Sequence, residues 1–253
     1  MAILRDAGGE YLTRSASLPA STAFSICGFF APTSAAASSV PFLFALQDAS
    51  NGIGCAYKDS AGDLVFLVFT QNSYDDDIAS FTGVYGQHYF IGMTLDATTA
   101  TLYVGSVGVP DALVTATVAG STFTPDVLRL FDWNAGNPVS PVAGVKAWDA
   151  TLTAAEIERE RCVLRPIRTA DLHLWTPMLA SSSASDAAKD YSGSGRDWTV
   201  NGSPTITDGP PVGWGAPIWI PQYTVASGIP VLSSPSMSSI TATTAVPRVT
   251  LTF

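Results

Sequence analysis

Short apolar or alternating runs recur along the chain, each closed by Gly, Pro, Asn or Asp, and this is the rhythm of β-strands. In Phe24-Ser-Ile-Cys-Gly-Phe-Phe the alternation turns Phe24, Ile26 and Gly28 to one face. Pro41-Phe-Leu-Phe-Ala-Leu is apolar on both faces and predicts a strand covered on both sides. Ile53–Tyr57 and Asp63–Phe69 flank Asp59-Ser-Ala-Gly-Asp, and His88–Leu95 and Ala100–Gly105 flank Asp96-Ala-Thr-Thr, so two hairpins are expected. Val127–Phe131, Val142–Trp148 and Leu172–Trp175 add further strands. With no helix-length segments between strands, a parallel α/β sheet is excluded, and the expected fold is an all-β antiparallel sandwich.

One helix interrupts this pattern. Thr153-Ala-Ala-Glu156 has capping-box spacing, in which each residue's side chain satisfies the other's backbone N–H. It predicts a helix from Ala154 to about Cys162, ended before Pro166 and lying as a lid over one edge of the core. Ala180–Ser185 is expected as a loop, and Asp190–Gly202 as a glycine turn leading into a strand. From Asp208 to Pro221, Pro and Gly predict irregular surface chain anchored by Trp214 and Trp219. These segments together make one sandwich domain over residues 1–223. Residues 224–253 change character to Ser, Thr and Pro with one charge, Arg248, and carry two β-prone runs. Two strands cannot bury a core alone, so this arm is expected to be an assembly contact through Ile240, Val249, Leu251 and Phe253.

Composition narrows the function. The chain of 253 residues is 47% hydrophobic but only 13% charged, which suits a large core with an uncharged surface. A net charge of -9 with three lysines argues against a nucleic-acid partner. The basic cluster Arg159, Arg161, Arg165 and Arg168 is interleaved with Glu158 and Glu160, as on a solvated or subunit-facing helix. Cys27, Cys55 and Cys162 are odd in number and widely spaced, which predicts buried free thiols rather than disulfides or a zinc site. No signal-peptide pattern or membrane-length apolar run is present, so a soluble protein made in a reducing cytoplasm is expected.

The order of these features resembles the concanavalin A-like lectin/glucanase superfamily, in particular its laminin G-like and pentraxin-like domains. The resemblance runs through Gly9-Glu-Tyr-Leu with Phe24–Phe30, through Gln87–Asp96 with Ala100–Gly105, and most specifically through Val145-Lys-Ala-Trp-Asp-Ala-Thr-Leu-Thr-Ala-Ala-Glu-Ile. Asp190-Tyr-Ser-Gly-Ser-Gly is similar to the family's Asp-x-Ser-Gly turn, which more commonly precedes the sandwich than follows it. The resemblance covers roughly residues 8–205 and implies a concanavalin A-like jelly roll. Pro235–Phe253 resembles the opening strands of fibronectin type III-like modules, and the pairing looks like a tailed-bacteriophage structural protein.

Chemistry is sparse. The superfamily's glucanases carry Glu-x-Asp-x-x-Glu on a strand, whereas this chain has Glu10 alone and Glu156, Glu158 and Glu160 on the predicted helix. His88 and His173 sit among apolar neighbours, as satisfied sheet or core histidines do. Laminin G-like domains can hold Ca²⁺, and Asp75, Asp76 and Asp77 offer hard oxygen ligands, though the run also reads as solubilising loop acids. Asp132, Trp133 and Asn134 combine an aromatic face with an acid and an amide, as a sugar site would, although Trp133 reads more readily as a packing residue.

The expected function is therefore a non-enzymatic virion component, a capsid decoration or tail appendage made in the bacterial host cytoplasm. Its partners would be other virion proteins and itself as a homo-oligomer, with no nucleic acid and no membrane. The alternative is a lectin-like module for host surface glycans, without a cofactor or with calcium, and glycoside hydrolysis stands third.

Overall fold

The computed structural model describes residues 2–5, 9–33, 42–60, 63–70, 81–108, 111–120, 122–131, 140–178 and 183–212. All belong to one compact unit, Met1–Pro217, and the second unit, Ile218–Phe253, lies outside the described residues.

The strands in chain order are β1 (Ala2–Arg5), β2 (Tyr11–Arg14), β3 (Ala23–Phe30), β4 (Phe42–Gln47), β5 (Gly52–Ser60), β6 (Asp63–Thr70), β7 (Thr82–Gly83) and β8 (Tyr89–Asp96). They continue with β9 (Thr99–Ser106), β10 (Val114–Ala119), β11 (Val127–Leu130), β12 (Ser140–Trp148), β13 (Leu172–Thr176), β14 (Thr199–Asn201) and β15 (Thr205–Thr207). Two short helices, α1 (Ala154–Glu160) and α2 (Ala184–Ala187), lie on either side of β13.

Two antiparallel sheets form a sandwich, as the alternation predicts. One runs β10-β9-β8-β3-β12-β1-β15, with β13 also paired to β12, and the other runs β14-β2-β11-β4-β5-β6-β7. Both expected hairpins are present: β5 pairs β6 from Ile53↔Thr70 to Ser60↔Asp63, and β8 pairs β9 from Tyr89↔Ser106 to Leu95↔Ala100. In the second hairpin Asp96 Oδ1 accepts the Thr98 and Thr99 amides, each at 2.7 Å, and so shapes the turn.

Alternation sorts the side chains into three buried clusters. Phe24, Ile26, Phe44, Phe66, Ile91, Leu128 and their neighbours fill the space between the sheets. The opposite face of β3, β8, β9 and β12 sends out Cys27, Phe29, Phe90, Tyr103 and Trp148, which Leu152, Ile157 and Leu164 cover. The α1 segment therefore seals the outer face of the eight-stranded sheet rather than one edge of the core. Burying rings such as Phe29, Phe90 and Trp148 stabilises this layer by roughly 2–3 kcal/mol each. Gly144 makes the close approach here: φ is +59° at the β12 register shift, and a Cβ would lie 2.6 Å from Leu164 Cδ2. On the outer face of the seven-stranded sheet, Ala45, Ala56, Leu67 and Phe69 form the third cluster, with Phe42 stacked on Phe69 at 4.2 Å.

Several expectations need correction. Glu160 is not solvated: it is buried and paired with buried Lys146 at 2.8 Å. Arg161 pairs with Glu158, and Arg168 with Glu156 and Asp171, so this basic cluster includes intramolecular clamps. Cys27 and Cys55 are buried thiols, but Cys162 is exposed. The predicted loop at Ala180–Ser185 ends in a helix, because Ser183 Oγ accepts the Asp186 amide and starts α2. His88 precedes β8 rather than lying in a strand.

Candidate functional site

With one sheet face sealed by α1 and half of the other occupied by the Phe42–Phe69 cluster, the remaining open face lies on β2, β11 and the end of β4. Leu12, Leu128 and Leu130 point into the core, so Tyr11, Thr13, Val127 and Arg129 point outward between them. Arg129 lies opposite both Thr13 and Ala45 and holds its guanidinium 5.9 Å from the centre of the Tyr11 ring. Asp48 and Asp126 enter from the loops that bound β4 and β11. These residues, with Ser15 and Ala49, line a depression of about 450 Å³, within the usual size range of small-ligand sites. A second depression of about 380 Å³ adjoins it through Ser15 and runs along Leu18, Pro19, Phe123 and Pro125.

Backbone bonds fix the rim. Asp126 N donates to Gln47 O at 2.7 Å, and the Ser21 hydroxyl both donates to Phe123 O and accepts Phe123 N, at 2.7 and 2.8 Å. Asp48 Oδ1 accepts the amides of Ser50 and Asn51, each at 2.6 Å. The Asn51 side chain, then the Ser50 amide, hold the Asp48 carboxyl below the usual carboxylate range. The groove thus offers an aromatic surface, a guanidinium and ionised or hydrogen-bonding oxygens, the set that orients a polyhydroxylated ligand.

A glycosidase's general acid needs a raised pKa, and the described carboxylates with a shifted pKa move the other way. Asp96 is shifted down by the Thr98 hydroxyl and amide, and Glu156 by the Thr153 amide and Arg168. Asp190 is also shifted down, because the amides of Trp175, Ser192 and Arg196 outweigh its burial. His173 Nδ1 lies 2.9 Å from Asp149, yet its buried Nε2 has no hydrogen-bond partner, so no hydroxyl is positioned there as a nucleophile. Among the described residues no group of three or more His, Cys, Asp or Glu is placed to hold a metal ion.

Asp75, Asp76 and Asp77, the triplet Asp132, Trp133 and Asn134, the arm residues Ile240, Val249, Leu251 and Phe253, and Trp214 and Trp219 all lie outside the described residues. The groove residues Tyr11, Asp48, Asp126 and Arg129 have no local motif. The only sequence signal is a polar or aromatic residue at alternate positions of β2 and β11.

No curated protein matches the sequence. Among solved structures, a putative carbohydrate-binding protein from Bacteroides ovatus superposes with a TM-score of 0.52 at 13% identity, over 85% of this chain and 62% of that one. The full-length tailspike protein 2 of Escherichia coli O157:H7 bacteriophage CAB120 superposes with a TM-score of 0.51 at 12% identity, over 69% of this chain and 26% of that one. The heptameric SAP-like pentraxin of Limulus polyphemus gives a TM-score of 0.45 at 14% identity, over 62% of this chain and 80% of that one. This chain therefore spans about a quarter of the tailspike and under two thirds of the Bacteroides protein, and at these identities the likeness speaks to fold alone. The sequence model of the concanavalin A-like lectin/glucanases superfamily, in its laminin G form, matches residues 6–158. The two-sheet topology and this match, over more than half the sequence, agree: the chain belongs to the concanavalin A-like lectin/glucanases superfamily.

Proposed function

We propose that this chain is a non-enzymatic recognition module that binds glycans through the groove on β2, β11 and the end of β4. The observation that carries the reading is the groove itself, with Tyr11 and Arg129 beside Asp48 and Asp126 on the open face of the seven-stranded sheet. The likeness to a putative carbohydrate-binding protein over 85% of the chain supports it. A glycan array, followed by calorimetry on the best binder with and without chelator, tests the proposal. Tyr11→Ala should weaken binding about tenfold, near 1.4 kcal/mol, in protein that keeps a native circular-dichroism spectrum. Binding indifferent to changes at both Tyr11 and Asp126 would remove the groove from the reading. Loss on chelation alone would move attention to calcium at Asp75, Asp76 and Asp77. Sugar release abolished by a single Asp or Glu substitution would make the protein a hydrolase.

A second reading draws on the tailspike likeness over 69% of the chain: a virion component, a capsid decoration or tail appendage, that acts through protein contacts and its C-terminal arm. The two readings are compatible, since a module on a virion appendage can recognise host glycans. Immunogold labelling of purified particles tests the virion reading without reference to the groove.

A further inference from the structure

The strands that border the two sheets are protected in different ways, with one exception. β7 is two residues long, and β14 and β15 three each. β13 is covered on its outer side, where Tyr191 N donates to Trp175 O at 2.7 Å and Arg196 Nη1 to His173 O at 2.6 Å. β10 is six residues long, pairs only with β9 among the described residues, and has no charged residue or proline between Ala112 and Thr124. Short strands, charges and coverage are the usual guards of a sheet edge, and among the described residues this edge has none of them.

The pairing shows what the edge presents. Gly120 N donates to Thr98 O at 2.7 Å, so the alternate residues Val118, Ala116 and Val114 direct their backbone groups to β9. Thr115, Thr117 and Ala119 then point their N–H and C=O groups outward, and all three are exposed. The side chains of Val114, Ala116 and Val118 turn instead to the core. The strand also reads the same in both directions: Val114-Thr115-Ala116-Thr117-Val118.

We propose that β10 is a homodimer interface, in which two copies pair antiparallel about a two-fold axis through Ala116 and join their eight-stranded sheets. In that register Thr115 lies opposite Thr117 of the second copy, and each exchanges two backbone hydrogen bonds. Val114 lies opposite Val118 of the second copy on the core side, so apolar meets apolar and threonine meets threonine on their own faces. A one-residue slip would set valine against threonine. A two-fold through Thr117 instead would set Val114 against Gly120 and lose the valine pairs. The occupant is thus a second copy of this chain, and the inference stands whether or not the groove binds a glycan.

Sedimentation velocity of the full chain over a concentration series should show a dimer. Thr115→Lys with Thr117→Lys, both at exposed positions, should abolish the dimer, because lysines would face one another across the axis, and leave a folded monomer with the wild-type far-UV circular-dichroism spectrum. A wild-type monomer at every concentration, or a dimer that survives both lysines, would overturn the proposal. Cysteines test the register in a Cys162→Ser background. A mixture of the Thr115→Cys and Thr117→Cys proteins should form a disulfide-linked heterodimer, since opposed Cα atoms about 5.5 Å apart suit that bond. A disulfide formed readily by Thr117→Cys alone would overturn the axis through Ala116.

Discussion

Lys146 is fully buried, which is rare for a lysine. Alternation in Val145-Lys-Ala-Trp puts Lys146 outward, and an outward lysine normally reaches water. Here its Nζ is buried and donates to Glu160 Oε2, Glu160 O and Val163 O at 2.8, 2.9 and 2.7 Å, using all three protons. Glu160 Oε1 accepts the amides of Ile167 and Arg168, both at 2.9 Å, so one ion pair pins the turn after α1 to β12. Lys146→Met leaves a buried carboxylate without its cation and should cost about 3–5 kcal/mol in urea unfolding. Adding Glu160→Met should recover part of that loss. His173 makes a separate prediction. Burial lowers its pKa, opposed by the Asp149 hydrogen bond and aided by Arg196 and Arg14 nearby. The folded protein therefore holds it neutral, while the unfolded chain takes up a proton near pH 6.5. Its contribution to stability is full above pH 6.5 and lost as pH falls through the lower folded value. His173→Gln should flatten the decline in unfolding free energy between pH 7 and 5, and an unchanged slope would assign that decline elsewhere, His88 included. Neither role was legible in the sequence, because both depend on partners more than ten residues away.

At the scale of elements much more was legible, wherever local chemistry decides. The hairpins are announced at their turns, the first by acids and a glycine and the second by Asp96, and α1 by its capping box. Thr153 Oγ1 accepts the Glu156 amide at 3.3 Å, and Glu156 Oε2 accepts the Thr153 amide at 2.8 Å. Glu156 is also gripped by Arg168, which ties the helix start to the chain before β13. Thr153→Ala should lower stability by about 1 kcal/mol. Because α1 covers the sheet opposite the groove, glycan binding should not change, and altered affinity at unchanged stability would show that this segment takes part in recognition. The elements that do not stand out are those without large apolar residues or strong turn signals. β10 alternates, but with Val, Ala and Thr alone, and β15 has only three residues. The groove was missed for a related reason. Tyr11, Asp48, Asp126 and Arg129 meet only when β11 is inserted between β2 and β4, a pairing that spans most of the domain.

At the scale of the molecule, the position of the Asp190 turn in the chain is explained by where its neighbours pair. The turn follows most of the sandwich, yet the strands around it belong to the sheets. β13 pairs β12, β14 pairs β2, and β15 pairs β1. The family match covers residues 6–158, so β1 at one end and β13, β14 and β15 at the other lie outside it, yet all four pair into the two sheets. A sheet is held by which strands lie side by side, not by the order in which they are connected, so this displacement need not change the sandwich. β1 and β15 show the consequence most directly, since Ala2 lies opposite Thr207 in an antiparallel pair. A two-residue Asn-Gly turn from Thr207 to Ala2 would close them into a hairpin. The chain could then be opened between Ala170 and Asp171, both exposed, just before β13. The resulting permutant, beginning at Asp171 and ending at Ala170, restores the order in which the Asp-x-Ser-Gly turn precedes the sandwich. Compared with a linear chain ending at Thr207, it should unfold in one cooperative transition of similar midpoint, with stability within roughly 2 kcal/mol. It should also retain the groove, whose four residues keep their neighbours. If the linear chain folds and the permutant does not, the connection from α1 into β13 contributes more than tethering, and strand adjacency alone does not determine this fold.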